Sequence, residues 1–379
     1  MQISNAVILI DTKGVLSSSD AESLDRHLNY ALELNSVVPG SKFYVFSTSK
    51  SNLNNVNNAS YEQFFIKSNK YFSPLYIWKT FRRIRSLNLT NIVLVSGNPW
   101  ETALCLRIID SLIRIKSSVN VKTQIQVHGE IFDYNINNSG IVDKIRHLIF
   151  SNNLNSATNI RVVNEKQKNF LVKNYKIKPQ TITIIPVMLN FNYTKSQIFS
   201  ENRPISIGFA GRFHKERRID SLFRYIIKLN SVQNEFNVVL AGAGNDLERY
   251  LDLIEREIGS KRLIYCGNLT SNSMINFWSK VGVYVSTAES ESFGRAIREA
   301  ACFGIPILGI KSNGFDDLYS YNFPWIQYLD LEARPIDLHI QFMELQNTIT
   351  NDAIRSKLMR NSETNKSKLI QSWSLMLKN

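Results

Sequence analysis

Apolar and polar positions along the chain fall into two alternating regimes. Short apolar, β-branched runs occur at Ala6–Ile10, Lys42–Ser47, Ile92–Ser96, Thr123–His128, Ile160–Val163 and Thr181–Pro186. Between them lie longer segments with helical spacing of apolar residues, such as Ser23–Leu34 and Glu101–Ile115. Apolar strands separated by amphipathic helices predict parallel β-α-β units in an open sheet covered on both faces. The alternation then starts again. Ile205–Ala210, Asn237–Ala241, Arg262–Cys266, Gly282–Ser286 and Ile305–Ile310 read as strands, with helices at Ile219–Leu229 and Leu247–Ile258. The intervening stretch is polar, holds Pro204 and has no clear period.

The expected architecture is therefore α/β, with two Rossmann-like domains facing each other across a cleft between the carboxyl ends of two sheets. The boundaries read as 1–190 for the first domain, 191–204 for a linker and 205–360 for the second. Ile354–Leu377 reads as a helix, and within 361–379 Trp373 and Leu377 are expected to pack back on the first domain. Asn-rich patches at 51–58, 135–140 and 151–156 read as surface loops.

Composition narrows the class. With 379 residues, 44% hydrophobic and 20% charged, the chain is neither disordered nor low-complexity. Its three cysteines, Cys105, Cys266 and Cys302, lack the spacing of a zinc site or a disulfide framework. The N-terminal MQISNAVILIDTKG lacks the basic region and long apolar core of a secretion signal, and no window approaches the ~18 apolar residues of a membrane span. A cytoplasmic protein is expected.

Charge adds an asymmetry. The net charge is +13, yet residues 1–200 hold 23 Lys and Arg against 12 Asp and Glu, whereas 201–379 hold 22 against 20. Part of the excess lies in YFSPLYIWKTFRRIRSL, residues 71–87, where Trp78 and other aromatics interleave with Lys79, Arg82, Arg83 and Arg85. Such a segment suits an anionic membrane surface; it equally suits a helix with one core face and one solvated basic face. No DNA- or RNA-binding signature accompanies the charge, so no nucleic-acid partner is expected.

The sharpest chemistry sits in ESFGRAIREAACFGIPILGI, residues 291–310. Glu291 lies in a loop after a strand, and Phe293–Gly294 open a helix that carries Glu299. Amides at a helix start, approached through a glycine, favour an anion such as phosphate. The two carboxylates are eight positions apart, about 12 Å along a helix. That exceeds the separation of a glycoside-hydrolase pair and suits a grip on two ends of an elongated ligand. An amphipathic helix with solvated acids has the same spacing.

ESFGRAIREA followed by ACFGIPIL resembles the Glu-x7-Glu signature of glycosyltransferase family 4, typically EGFGLVLLEAMACGVPVI. GFAGRFHKERRID (208–220) looks like the family's GRLxxEKGID segment, VVLAGAGNDLERYL (238–251) its VGDGPxxxxL element, and SNGFDDL (312–318) a divergent GGxPEI turn. VSGNPWETAL (95–104), IQVHGEIFD (125–133), IRVVNEKQKNFL (160–171) and ITIIPVMLN (182–190) fit the family's order. The resemblance covers nearly the whole chain and is strongest in the second half. It implies a retaining enzyme of the GT-B fold that uses a nucleotide-sugar donor, with a UDP-sugar favoured.

Roles carried over by this resemblance fall on specific positions. Glu299 resembles the carboxylate that holds the ribose, and Glu291 the one that orients donor-sugar hydroxyls. The segment Ser292, Phe293, Gly294 and Arg295 would meet diphosphate and sugar, and Gly267, Asn268 and Leu269 the base. Arg212 matches the diphosphate arginine. The second cation is Arg217, with Lys215 as the alternative, and Arg218 stands where glycine is usual. His128 matches a first-domain histidine that faces the donor sugar, and Gly14 a loop glycine near the phosphate. The implied reaction is hexosyl or N-acetylhexosaminyl transfer with retention, to a saccharide acceptor that is lipid-linked, from a site peripheral on the cytosolic leaflet. Polysaccharide, O-antigen or capsule synthesis is the implied setting. No DxD motif stands at a strand end, so no metal and no other cofactor is expected. A nucleotide-sugar epimerase, a non-catalytic partner subunit and, remotely, a nucleic-acid binder remain as alternatives.

Overall fold

The computed structural model describes residues 4–14, 21–49, 55–68, 73–116, 118–129, 141–189, 203–214, 217–232, 235–270, 273–348 and 353–378. They form two compact units, one of 1–187 together with 363–379, the other of 188–362. The linker expected at 191–204 lies almost wholly outside the described residues, as do the Asn-rich patch at 135–140 and Lys215.

The first unit is built on strands β1 (Asn5–Asp11), β2 (Lys42–Ser49), β3 (Val56–Asn57), β4 (Tyr61–Lys67), β5 (Asn91–Ser96), β6 (Asn120–Val127), β7 (Asn159–Val162) and β8 (Ile182–Ile184). Its helices are α1 (Ala21–Val37), α2 (Pro74–Ser86), α3 (Glu101–Lys116), α4 (Ile141–Ser156) and α5 (Glu165–Tyr175). The sheet order is β3-β4-β2-β1-β5-β6-β7-β8. All pairs are parallel except β3 with β4. β1 is apolar along most of its length and β2 is buried at all eight positions, as befits inner strands covered on both faces. The register sets Val7 opposite Phe43 and Val93. One core unites β1, β2 and β5 with α2 and α3; another gathers β6 and β7 with α4 and α5.

Two expectations about the Asn-rich patches need correction. Part of 51–58 is an edge strand, because Val56–Asn57 pairs antiparallel with Gln63 and Glu62. The patch at 151–156 is the end of α4. Asn153 is fully buried there, donating to the carbonyls of Pro99 and Trp100 at 2.9 and 3.0 Å and accepting from Arg107 at 3.2 Å. Its amide satisfies backbone groups at the start of α3, a use that composition cannot reveal.

The second unit has strands β9 (Ser206–Ala210), β10 (Asn237–Ala241), β11 (Leu263–Tyr265), β12 (Val283–Ser286), β13 (Ile307–Gly309) and β14 (Ile326–Tyr328). The helices are α6 (Ile219–Asn230), α7 (Leu247–Ile258), α8 (Met274–Trp278), α9 (Arg295–Cys302), α10 (Asn313–Tyr319) and α11 (Pro335–Asn347). The sheet is all parallel in the order β11-β10-β9-β12-β13-β14. α6 buries Ile219, Leu222, Ile226 and Leu229, one stripe at helical spacing. The chain runs outward from β9 through β10 to β11, then returns to place β12 on the other side of β9. That reversal opens a crevice at the carboxyl ends of β9 and β12, where such sheets hold ligands.

The last helix, α12 (Ala353–Lys378), starts in the second unit and ends in the first. Within the first unit Trp373 is buried against Phe43 and Tyr30, with ring centroids 5.5 and 6.0 Å away.

Candidate active site

Three loops at the carboxyl ends of β9, β10 and β11 are stitched together by backbone hydrogen bonds. Gly211 and Phe213 donate to Ala241 and Ala243, each at 3.0 Å, and Gly242 donates to Gly267 at 2.9 Å. Gly242 sits at φ +128°, and a Cβ there would lie 1.9 Å from the Gly211 carbonyl oxygen. A Cβ on Gly244 would fall 2.2 Å from the Phe213 carbonyl. Only glycine permits this approach, which makes a smooth floor of backbone.

Above that floor lies a cavity of about 640 Å³ wholly within the second unit. Its charged lining comprises Arg212, Arg217, Glu291, Arg295 and Glu299. Asn268 and Leu269 close another side. Arg217 pairs with Glu291 Oε2, and the Thr287 hydroxyl donates to the Arg217 carbonyl at 2.9 Å. Glu291 Oε1 accepts from the Gly294 amide at 3.2 Å. Glu299 accepts from Arg295 Nε at 2.7 Å, one turn apart on α9. The carboxylates of both candidate ligand-gripping residues are thus held by arginines on the same cavity. The eight-residue spacing is not all helical, because α9 begins at Arg295 with Gly294 as its left-handed cap, at φ +70°.

Behind this wall, Arg298 ties α9 to α10. It pairs with Asp317, donates to the Gly314 carbonyl at 3.2 Å and lies over the Phe293 ring at 4.1 Å. Burial lowers its pKa, with Asp317 opposing. The Gly314 amide in turn donates to the Glu291 carbonyl at 2.6 Å. The turn at 312–318 therefore buttresses the loop that carries Glu291, and Asp317 faces Arg298.

The remaining sequence candidates are placed as follows. Gly267 sits at φ +82° in the third loop; Ser292, Phe293 and Gly294 form the turn into α9. Gly14 (φ +64°) and His128 belong to the first unit, after β1 and β6 respectively. His128 is half-buried and its Nε2 lies 2.8 Å from Gln126 Oε1. Desolvation, then the charges of Arg161 and Arg26, push its pKa down to about 3, so the ring is neutral. Trp78, Lys79, Arg82, Arg83 and Arg85 are exposed on α2, while Tyr76, Ile77, Phe81 and Ile84 are its buried face. Arg83 also bridges Glu62 at 3.7 Å and covers Phe64. Gly242, Gly244, Tyr284 and Ser286 also line the cavity, beyond the residues that the motifs mark. The alternating glycines of AGAGN were the available signal. Among the described residues no group of three or more His, Cys, Asp or Glu converges as a metal cluster, and no helix is long and apolar enough to cross a membrane.

Residues 192–323 match the family model described as "Glycosyl transferases group 1". The GtfA subunit of a UDP-N-acetylglucosamine–peptide N-acetylglucosaminyltransferase from Streptococcus agalactiae is 23% identical over 203 residues, 52% of this chain. The match spans only 39% of that relative's own length. A GDP-mannose-dependent alpha-mannosyltransferase from Mycolicibacterium smegmatis is also 23% identical, over 31% of this chain and 28% of its own. Among solved structures, Anabaena HepE in complex with UDP and glucose superposes with TM-score 0.69 at 11% identity, covering 97% of this chain and 99% of HepE. A glycosyltransferase from Rickettsia africae gives 0.67 at 18% identity, over 99% of both chains. The fold is GT-B.

Proposed function

We propose that this protein is a retaining glycosyltransferase of family 4 type, moving a hexosyl or N-acetylhexosaminyl group from a nucleotide sugar to a saccharide acceptor. The observation that carries this reading is the cavity itself. At one topological switch point it combines Arg212 and Arg217, suited to a diphosphate, with Glu291 and Glu299, suited to hydroxyls. A UDP-sugar is favoured as donor, and UDP in the solved HepE complex supports that choice.

In this mechanism Arg217 exchanges its Glu291 partner for the incoming diphosphate. Release of Glu291 frees its carboxylate for sugar hydroxyls and the Gly294 amide for an oxygen anion. As the bond to the leaving diphosphate breaks, Arg212 and Arg217 meet the growing charge, so they bind the transition state more strongly than the ground state. The diphosphate helps remove the acceptor proton on the face it leaves, which gives retention. Two guanidinium groups take the place of a metal cation. The acceptor is a saccharide, lipid-linked, presented at the cytosolic face of a membrane for polysaccharide, O-antigen or capsule assembly. The exposed basic face of α2 supports the membrane part of this reading.

Thermal-shift measurements against UDP, GDP and ADP, and their sugars, with and without EDTA, test the donor reading. UDP-sugars should raise the melting temperature equally in both conditions, and Glu299→Ala should abolish the shift. An unchanged shift in Glu299→Ala removes that residue from the site, and a shift lost in EDTA removes the metal-free mechanism. Product analysis with donor alone and with acceptor separates a transferase from an epimerase or a binding subunit.

A further inference from the structure

β6 carries an unusual polar row for an inner strand. Gln124 and Gln126 alternate with Ile125 and Val127, so both amides and the following His128 share one face. Gln124 is fully buried, and Gln126 and Arg161 are 8% and 4% exposed. Burying so many polar groups is costly unless each finds its partner.

The partners fix every orientation in the row. Trp373, on α12, can only donate, and its indole Nε1 donates to Gln124 Oε1 at 2.9 Å. At the other end of the same amide, Gln124 Nε2 donates to Asn159 Oδ1 at 2.9 Å. Asn159 is oriented in its turn, since its Nδ2 donates to the Thr181 carbonyl and to the Thr183 hydroxyl at 2.8 Å. Gln124 Oε1 therefore faces Gln126, whose Nε2 donates to it at 3.2 Å. That leaves Gln126 Oε1 toward Arg161 and His128. Arg161, which can only donate, reaches it with Nη1 at 3.4 Å. Arg161 is itself locked, with Nε and Nη2 each donating at 3.0 Å to the carbonyls of Ile185 and Pro186. An amide oxygen only accepts, so the atom 2.8 Å away, His128 Nε2, carries a hydrogen.

We propose that Gln126 is a positioning residue which fixes His128 in its neutral Nε2–H tautomer and places the ring's acceptor lone pair at Nδ1. An acceptor there suits a hydroxyl, whereas a histidine with Nδ1–H presents a donor in that place. Protonation would put a third positive charge beside those of Arg161 and Arg26, the cations that face this histidine from β7 and α1, with the Tyr30 phenol beside Arg161. The tautomer assignment rests on this hydrogen-bond row alone; its use in sugar transfer rests on the reading of His128 given above.

The test is nuclear magnetic resonance of the intact protein with 15N,13C-labelled histidine. Five histidines are present, and His128 is assigned by the signal lost in His128→Asn. In the unaltered protein its ring should show Nε2–H and Nδ1 unprotonated, with no titration between pH 7.5 and 5. A ring with Nδ1–H, or a midpoint near 6.5, overturns the proposal without need of any variant. Gln126→Glu supplies an anionic acceptor and should raise the His128 midpoint by about 2 units; Gln126→Leu should give a mixture of tautomers. A His128 spectrum unchanged in both folded variants also overturns it. Transfer kinetics separate the two readings. If Gln126→Leu shifts the tautomer and lowers kcat about tenfold with KM little changed, both stand. If the spectrum behaves as expected while His128→Ala transfers at the unaltered rate, the positioning stands and the role of His128 in transfer falls.

Discussion

Arg217 and Glu291 hold each other on the cavity wall, and each is partly shielded from water. Arg217 is therefore ready to move to a stronger anion, and a diphosphate with two charge-assisted contacts is one. Arg217→Ala should lower kcat/KM by roughly 10²- to 10³-fold, the scale of losing a preorganised transition-state donor. Arg217→Lys, which keeps the charge and loses the fork, should fall between the two. Steady-state transfer assays decide it; equal rates in all three proteins remove Arg217 from the reaction. The pair Glu291 and Glu299 was legible because a glycine turn and a helix separate them in a dense motif. The Arg217 partnership was not, since it joins loops 74 positions apart. The polar row on β6 was visible as Gln-Ile-Gln-Val-His, yet its meaning depends on Trp373, nearly 250 residues later.

At the scale of elements, the start of α6 carries a local conflict. Arg218 caps that helix at φ +50°, a left-handed conformation that costs a non-glycine residue about 1 kcal/mol or more. Among the described residues its side chain returns an exposed pair with Glu289 at 2.6 Å, a contact of a type that contributes roughly 0.2–1 kcal/mol. Arg218→Gly should thus leave the melting temperature unchanged or raise it by about 1–3 °C, measured by differential scanning fluorimetry; a drop of several degrees would show that the ion pair dominates. α2 poses a different question. Leu75 and Trp78 are 52% and 47% exposed among Lys79, Arg82 and Arg85. Co-sedimentation with anionic vesicles at low salt is expected. Replacing these three cations with Gln should weaken it by roughly two orders of magnitude, at about 1 kcal/mol each. Arg83 is left intact because it bridges Glu62. Except for β14, strands in both sheets were readable from their apolar runs. The β3–β4 hairpin was not, because its Asn-rich edge has the composition of a loop.

For the whole molecule, the neutral His128 ties stability to pH. Its pKa is about 3 when folded and near 6.5 in the unfolded chain, so between those values the unfolded chain binds the extra proton. Stability from this group is complete above about pH 6.5 and is lost as pH falls toward 3. Urea midpoints at pH 7.5 and 4.5 should diverge more for the unaltered protein than for His128→Asn, and equal divergence would place the histidine in ordinary solvent. The uneven charge follows the same division as the two sheets: the basic excess lies in residues 1–200, while the cavity of the second unit uses a few arginines matched by carboxylates.

The helix shared between the units bears on how the chain is made. Trp373, Ile370, Leu369 and Leu377 are buried, and they follow residue 362, where the second unit ends. A ribosome adding about 5–20 residues per second polymerises the whole of 188–362 before it adds these residues. The unit encoded first is therefore the one completed last. Until then the groove against Tyr30 and Phe43 and the amide of Gln124 lack the indole that packs on them. The core of the first unit thus closes only after the last codons of 188–362 have been read.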